Sequence, residues 1–207
     1  NKGAINNLSP FKIEDLLKRD QINIDLDKNK KLYFKKTVLV TGAAGSIGSE
    51  IVRQLLNFSP KEIILFDNNE NSLFKIKKEL ENKKTKTIFR YLLKSVTDLN
   101  SVEFCFSRFK IDVVFHAAAY KHVPLVEANP LAGLANNVGS THQVCVAAVA
   151  TGVRQVVLIS TDKAVRPTNV MGASKRLAEL VVQAHAAEAT STRFSMVRFG
   201  NVLGSSG

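Results

Sequence analysis

What most limits the folds open to this chain is a sixfold alternation of short apolar runs with longer amphipathic stretches. The runs are TVLVTG (37–42), EIILFD (62–67), KTIFRYL (86–92), DVVFHAAA (112–119), QVVLIST (155–161) and FSMVRFG (194–200). Each is rich in β-branched or aromatic residues and continuous rather than alternating, as strands buried on both faces should be. The stretches 45–57, 70–82, 98–109, 127–150 and 171–189 between them carry the spacing of helices. Repeated this often, the alternation predicts an α/β fold: a doubly wound parallel sheet with helices on both faces.

Residues 1–36 stand outside that pattern. SPFKIEDLLKRD reads as one short helix, with Ser9 as N-cap and Pro10 at the first helical position. The basic stretch DKNKKLYFKK (27–36) reads as a solvated linker, or as a segment facing anionic lipid. The expected division is therefore 1–36 as helix and linker and 37–207 as the sheet domain. Six strands complete a dinucleotide-binding sheet, and the chain stops just after the sixth, which reads as a chain cut short of a C-terminal substrate domain. No apolar stretch approaches the roughly 20 residues that span a bilayer. A net charge of +11 raises nucleic-acid binding. The lysines are dispersed, however, and no recognition motif accompanies them. Cys105 and Cys145 lie in apolar helical patterns and read as reduced core thiols, and the four histidines have no metal-ligand spacing, so no metal site is expected.

The stretch VTGAAGSIGSEI (40–51) leaves the first run and opens a helix. Gly42 permits a tight turn, Gly45 lets backbone approach a pyrophosphate, and Gly48 lets helix and strand pack closely, with the helix N-terminus facing the anion. Asp67 ends the second run about 20 residues on, where a carboxylate can bind a ribose 2′-hydroxyl. Its charge repels a 2′-phosphate and favours NAD over NADP. No Gly-Lys-Ser/Thr follows, so the turn is not a P-loop. Together these make a Rossmann-like nucleotide site.

Two stretches could carry chemistry at the strands' carboxyl ends. HAAAYKHVPLVEANP (116–130) sets Ala117, Ala118 and Ala119 where a ring or ribose could come close to backbone, or where a helix packs tightly. Lys121 and His122 follow at the crevice, His122 either as a ligand contact or as an exposed loop residue. ISTDKAVRPTNVMGASKRLAE (159–179) places Asp162 and Lys163 just past the fifth strand, and Lys175 one helical turn after Met171. A tyrosine at 171 would have its phenol pKa lowered from about 10 by the lysine and could act as acid and base. A thioether cannot. As core filler Met171 is unremarkable, but that leaves Asp162, Lys163 and Lys175 unexplained.

VLVTGAAGSIGSE, FHAAAYKHVPLVEANP, STDKAVRPTNVMGASKRLAE and VRFGNVLGSSG together resemble the extended short-chain dehydrogenase/reductases. More narrowly they resemble the bacterial nucleotide-sugar 4,6-dehydratases of surface-polysaccharide synthesis, in the large membrane-anchored branch where methionine replaces the tyrosine. IEDLLKRD is similar to the connector after the membrane helices of that branch. The resemblance implies UDP-N-acetylglucosamine as substrate, with hydride leaving C4, water lost across C5–C6 and hydride returned to C6. Lys163 would take the C5 proton and Asp162 serve the leaving hydroxyl. Lys175 would orient the nicotinamide ribose and pass on the O4 proton through Thr161 or a water. The resemblance sets Ser46, Ile47, Ser95, Val96 and Ser160 beside the cofactor with the glycines, Asp67 and the three alanines, and has Asn137 support Lys175 through a bridging water. It gives Lys121, His122 and Asn201 to the substrate, although Asn201 could equally make a strand-end turn. It further implies a homo-oligomer in the cytoplasm, attached to the inner membrane by a segment N-terminal to this chain.

The chain departs from the family at LKSVTD (93–98), where a Gly-Asp pair is usual, so Lys94 and Ser95 stand at the adenine contact. Two other readings share the motifs. A 4-epimerase would need tyrosine at 171 and no Asp-Lys pair at 162–163. A non-catalytic dinucleotide-binding module would need Lys175 but neither Asp162 nor Lys163. The truncated chain is expected to bind dinucleotide and to turn over little or no sugar.

Overall fold

The computed structural model describes residues 26–189 and 191–202. The helix expected at Ser9–Pro10 lies outside them. Six strands form one sheet: β1 Thr37–Thr41, β2 Glu62–Asp67, β3 Ile88–Leu93, β4 Val113–His116, β5 Gln155–Thr161 and β6 Arg193–Phe199. Their order is β3-β2-β1-β4-β5-β6, every pairing parallel. The order reverses between β1 and β4, which opens a crevice at the carboxyl ends of those strands.

Alternation along β1 shows how the layers are assigned. Val38 and Val40 point to a cluster with Val52 and Leu55 of α2 (Ser46–Leu55) and Leu73, Ile76 and Leu80 of α3 (Glu70–Glu81). Leu39 points the other way, to Val102, Cys105 and Phe106 of α4 (Leu99–Arg108) and Val144 and Ala148 of a later helix, Ser140–Ala150. A smaller cluster joins Cys145 and Leu158 to Ala178 and Val182 of the last helix, Val170–Glu188. Both cysteines are buried thiols, their pKa values pushed up to about 12 by burial. Burial on both faces holds for β1 and β2 but not for β3 and β6. Those two lie at the sheet's edges, where one neighbour and part of the cover are missing.

Two segments differ from the sequence-based reading. The basic linker contains a helix, α1 (Leu26–Tyr33), anchored by Tyr33, whose ring lies 5.5 Å from that of Phe58 and 6.0 Å from that of Phe115. One aromatic anchor inside a lysine-rich run leaves too little periodicity to reveal a helix. The fourth run stops being strand at His116, so the alanines lie beyond the sheet, and the single helix expected over 127–150 is several pieces. These are α5 (Val123–Ala128), α6 (Pro130–Leu134), a π-helical turn (Ala135–Gly139) and α7 (Ser140–Ala150), followed by α8 (Val170–Glu188). Pro130 forces the break: Asn129 before it takes non-helical φ −137°, ψ 61°. Among the described residues no helix is long and apolar enough to cross a membrane.

Candidate active site

At the end of β1 the chain turns through Gly42 at φ +62°. A Cβ on Gly42 would stand 2.6 Å from the Ala118 nitrogen, so the turn presses directly on the alanine run after β4. A Cβ on Gly48 would stand 2.0 Å from the Gly42 carbonyl oxygen, which is why the first turn of α2 can lie against the loop. Gly45 is the N-cap of α2 and brings no side chain to cover the helix's amide end. Asp67, at the tip of β2, is buried; its carboxylate accepts the Ala44 amide and the Asn69 amide, each at 2.9 Å.

These groups line a cavity of about 740 Å³. Gly42, Gly45, Ser46, Ile47, Gly48 and Asp67 form one wall, and Val96 with Ala117, Ala118 and Ala119 the other. A helix terminus with no capping side chain, a turn of glycines and alanines and a carboxylate at the neighbouring strand tip suit the diphosphate and ribose of a dinucleotide. Ser95 does not join them: its hydroxyl meets that of Thr97 at 2.8 Å, while Lys94 reaches the cavity wall instead.

A second cavity, of about 510 Å³, adjoins the first and shares Ile47, Ala117, Ala119, Tyr120, Lys121 and His122 with it. Its far walls are Ser160, Thr161 and Lys163 at the tip of β5, Met171 and Lys175 of α8, and Asn201 beyond β6. Lys175 is buried and donates from Nζ to the Ile159 carbonyl at 2.8 Å. Burial pulls its pKa down to about 8, against the pull of the nearby Glu179 carboxylate. Met171, one turn earlier, is 4% exposed and offers the cavity no proton. Lys163 donates from Nζ to Asn201 Oδ1 at 2.9 Å and stands 3.7 Å from Asp162 Oδ1. Asp162 is exposed and is not among the residues that line the cavity; it accepts from the Thr161 hydroxyl at 3.0 Å. A Cβ on Gly172 would fall 2.4 Å from the Lys163 carbonyl oxygen, so the Asp162–Ala164 turn sits directly on the start of α8. His122 is the N-cap of α5, and both it and Lys121 are exposed at the mouth shared by the two cavities.

The Asn137 side chain is fully engaged by protein partners. Its amide donates to the Tyr120 carbonyl (3.0 Å) and the Ser174 hydroxyl (2.9 Å) and accepts from the Tyr120 amide (2.7 Å) and Asn136 (3.1 Å). With two donors and two acceptor sites filled, the side chain has no position left for a water bridge to Lys175. It pins the Tyr120 loop to α8 instead.

Sequence reasoning missed two buried groups behind the second cavity. His116, at the tip of β4, lies between the hydroxyls of Thr41 (2.7 Å from Nδ1) and Thr141 (3.1 Å from Nε2). Thr141 gives its own proton to the Asn137 carbonyl at 2.7 Å, so it must accept from Nε2–H, and Nδ1 accepts from Thr41. Burial, helped by the charge of Lys175, lowers the imidazole pKa to about 3, so the ring is neutral. Glu179, fully buried on α8, receives Ser160, Arg198 and Arg176. Burial opposes its charge, but these hydrogen bonds prevail and hold its pKa near about 2. A glutamate one turn past Lys175 and a histidine closing an apolar run were the available signals.

Residues 38–207 match the family model described as polysaccharide biosynthesis protein. The chain is 46% identical over 204 residues to the capsular polysaccharide biosynthesis protein CapD of Staphylococcus aureus, covering 98% of this chain and 34% of the relative. It is 34% identical over 179 residues to an inverting UDP-N-acetylglucosamine 4,6-dehydratase of Campylobacter jejuni, covering 85% of this chain and 52% of the relative. Among solved structures, Pen from Bacillus thuringiensis superposes with a TM-score of 0.79 at 37% identity, covering 85% of this chain and 54% of that one. The chain thus spans between a third and about half the length of these relatives.

Proposed function

The chain belongs to the polysaccharide biosynthesis protein family, and we propose that it carries the NAD site and the acid-base residues of a UDP-N-acetylglucosamine 4,6-dehydratase. The observation that carries this reading is the Asp162–Lys163 turn, set against the start of α8 and opening into the cavity that Lys175 also lines, next to the dinucleotide cleft. The dehydratase relative supports it.

Bound NAD would supply the redox chemistry, taking hydrogen with its electron pair from C4 of the sugar and handing it back at C6. The protein's tasks are proton transfers. With a ketone at C4 the C5 proton is acidic, and Lys163, as the amine, removes it. The C5–H electrons form the C5–C6 double bond, and the C6–O bond breaks as Asp162, in its acid form, protonates the leaving hydroxyl. One proton is taken and one given, so the pair's total charge is unchanged. Asn201, holding Lys163 Nζ, sets where the amine stands. Lys175 holds the ribose hydroxyls, and Thr161 or a water carries the O4 proton in place of the absent phenol. Asp67 favours NAD, because a 2′-phosphate would be set against its carboxylate.

The test is mass spectrometry of UDP-N-acetylglucosamine incubated with NAD and the protein extended to the full length of its dehydratase relative, of which this chain covers 52%. Loss of one water is the expected result. An isomer of unchanged mass would make the protein an epimerase, and an untouched substrate with NAD bound would make it a non-catalytic binding module.

A further inference from the structure

The β6 tip and Lys175 reach the second cavity from different elements, and one buried side chain touches the framework of both. Glu179 lies on α8 one turn after Lys175 and is fully buried. Its Oε1 accepts the Ser160 hydroxyl at 2.7 Å and Arg198 Nε at 2.7 Å. Its Oε2 accepts Arg198 Nη2 at 2.6 Å and Arg176 Nη1 at 3.0 Å. Arg198 therefore grips the carboxylate with both arms of its guanidinium, the geometry that fixes direction as well as attraction. Ser160 belongs to β5, two residues before Asp162 and three before Lys163. Arg198 belongs to β6, three residues before Asn201, which holds Lys163.

We propose that Glu179 is the positioning residue that clamps the tips of β5 and β6 to α8, so that Asn201 and Lys163 stand opposite Lys175 while Lys175 keeps its positive charge. Burying a carboxylate with all four acceptor positions filled is far costlier to disrupt than to keep. Among the described residues β6 is an edge strand with one parallel neighbour, β5, so the clamp adds a second hold at its tip to the backbone pairing there. Electrostatically, Lys175 faces neutral His116 from β4 and Glu179 from its own helix. Lys163 stands elsewhere on the wall of the same cavity. Arg198 and Arg176 are already paired with the glutamate. Glu179 is thus the negative group that supports the Lys175 charge in this apolar setting. The catalytic meaning of the clamp rests on the dehydratase reading, but the clamp itself does not.

Two variants separate its parts. Glu179→Gln keeps the shape and removes the charge; Arg198→Lys keeps a positive charge and removes the two-armed grip. The Lys175 side chain is followed by ¹⁵N NMR across pH, and β6 amides by hydrogen exchange, with no sugar or turnover involved. In Glu179→Gln the Lys175 midpoint is expected to fall below its value in the parent protein, and amides at Val197–Phe199 to exchange roughly tenfold faster. In Arg198→Lys the exchange should rise while the Lys175 midpoint stays near its parent value. A lower melting temperature in Glu179→Gln, with neither readout moved, overturns the proposal and leaves Glu179 as core filling. If the fold does not survive Glu179→Gln, Arg198→Lys decides: unchanged β6 exchange there overturns the clamp. Dehydration of the sugar is scored separately, so failure of the enzyme reading and failure of the clamp give different results.

Discussion

At the tips of β1 and β2 the cleft is shaped by backbone, whereas at the tips of β4, β5 and β6 it is shaped by buried, charged or hydrogen-bonded side chains. The first region relies on Gly42 at positive φ, Gly48 against a carbonyl, the uncapped start of α2 and a single carboxylate, Asp67. The second buries His116, Asn137, Lys175 and Glu179 at or behind the strand ends. A binding cradle needs close approach and fixed dipoles, which backbone supplies without desolvating a side chain. Proton transfer needs groups of adjusted basicity, and adjusting them means burying polar side chains in networks that each require complete partners. The second region is sensitive to acid through His116 and Glu179.

The contrast is broken or sharpened by three measurements. The largest effect expected is on turnover. In the protein at the full length of its relatives, Lys163→Ala should cost roughly 10²–10⁴ in dehydration rate, the usual worth of a general base, while NAD affinity stays within about twofold by calorimetry. Loss of NAD affinity in that variant would mean the two regions are not separable. Next comes the backbone cradle. In Gly48→Ala the new methyl meets the Gly42 oxygen, which should destabilise the protein by about 3 kcal/mol in urea denaturation and abolish NAD binding. An alanine variant that binds normally would remove the backbone argument.

The smallest effect is acid sensitivity. His116 has a folded pKa of about 3 against an ordinary 6.5, so the unfolded chain takes up the proton first, and stability falls as pH drops from about 6.5 toward 3. Glu179 is held near about 2 against an ordinary 4.5, so its contribution is full above about 4.5 and is lost as pH falls toward 2. Denaturation at pH 7, 5.5 and 4 should show a loss of about 2 kcal/mol, with fast amide exchange appearing first around Asn137 and Thr141. His116→Asn should flatten the upper part of that curve. A curve equally steep in the variant would place the acid sensitivity elsewhere.

The sheet was legible because its cause is local. Six continuous apolar runs give the strands; the glycine spacing and Asp67 place the turn after β1 without knowledge of anything distant. The errors came where a local pattern was overruled by one contact. Tyr33 packing on Phe58 and Phe115 makes a helix of a lysine-rich linker, and Pro130 divides a helix whose periodicity runs through it. Of the pair read at the adenine contact, Lys94 lines the cavity while the Ser95 hydroxyl bonds to Thr97.

By itself, then, the sequence determined a parallel, doubly wound sheet and the set of polar residues gathered at its carboxyl ends, since apolar runs and turn geometry depend on near neighbours. Only the tertiary structure decided what those polar residues are. His116 finds Thr41 75 positions away, Lys163 finds Asn201 38 away, and Glu179 finds Ser160 and Arg198 19 away on either side. Whether a histidine is neutral, a buried lysine keeps its charge, or a glutamate is a clamp depends on burial and on partners brought together from such separations. Residue type names the group, and packing sets its charge.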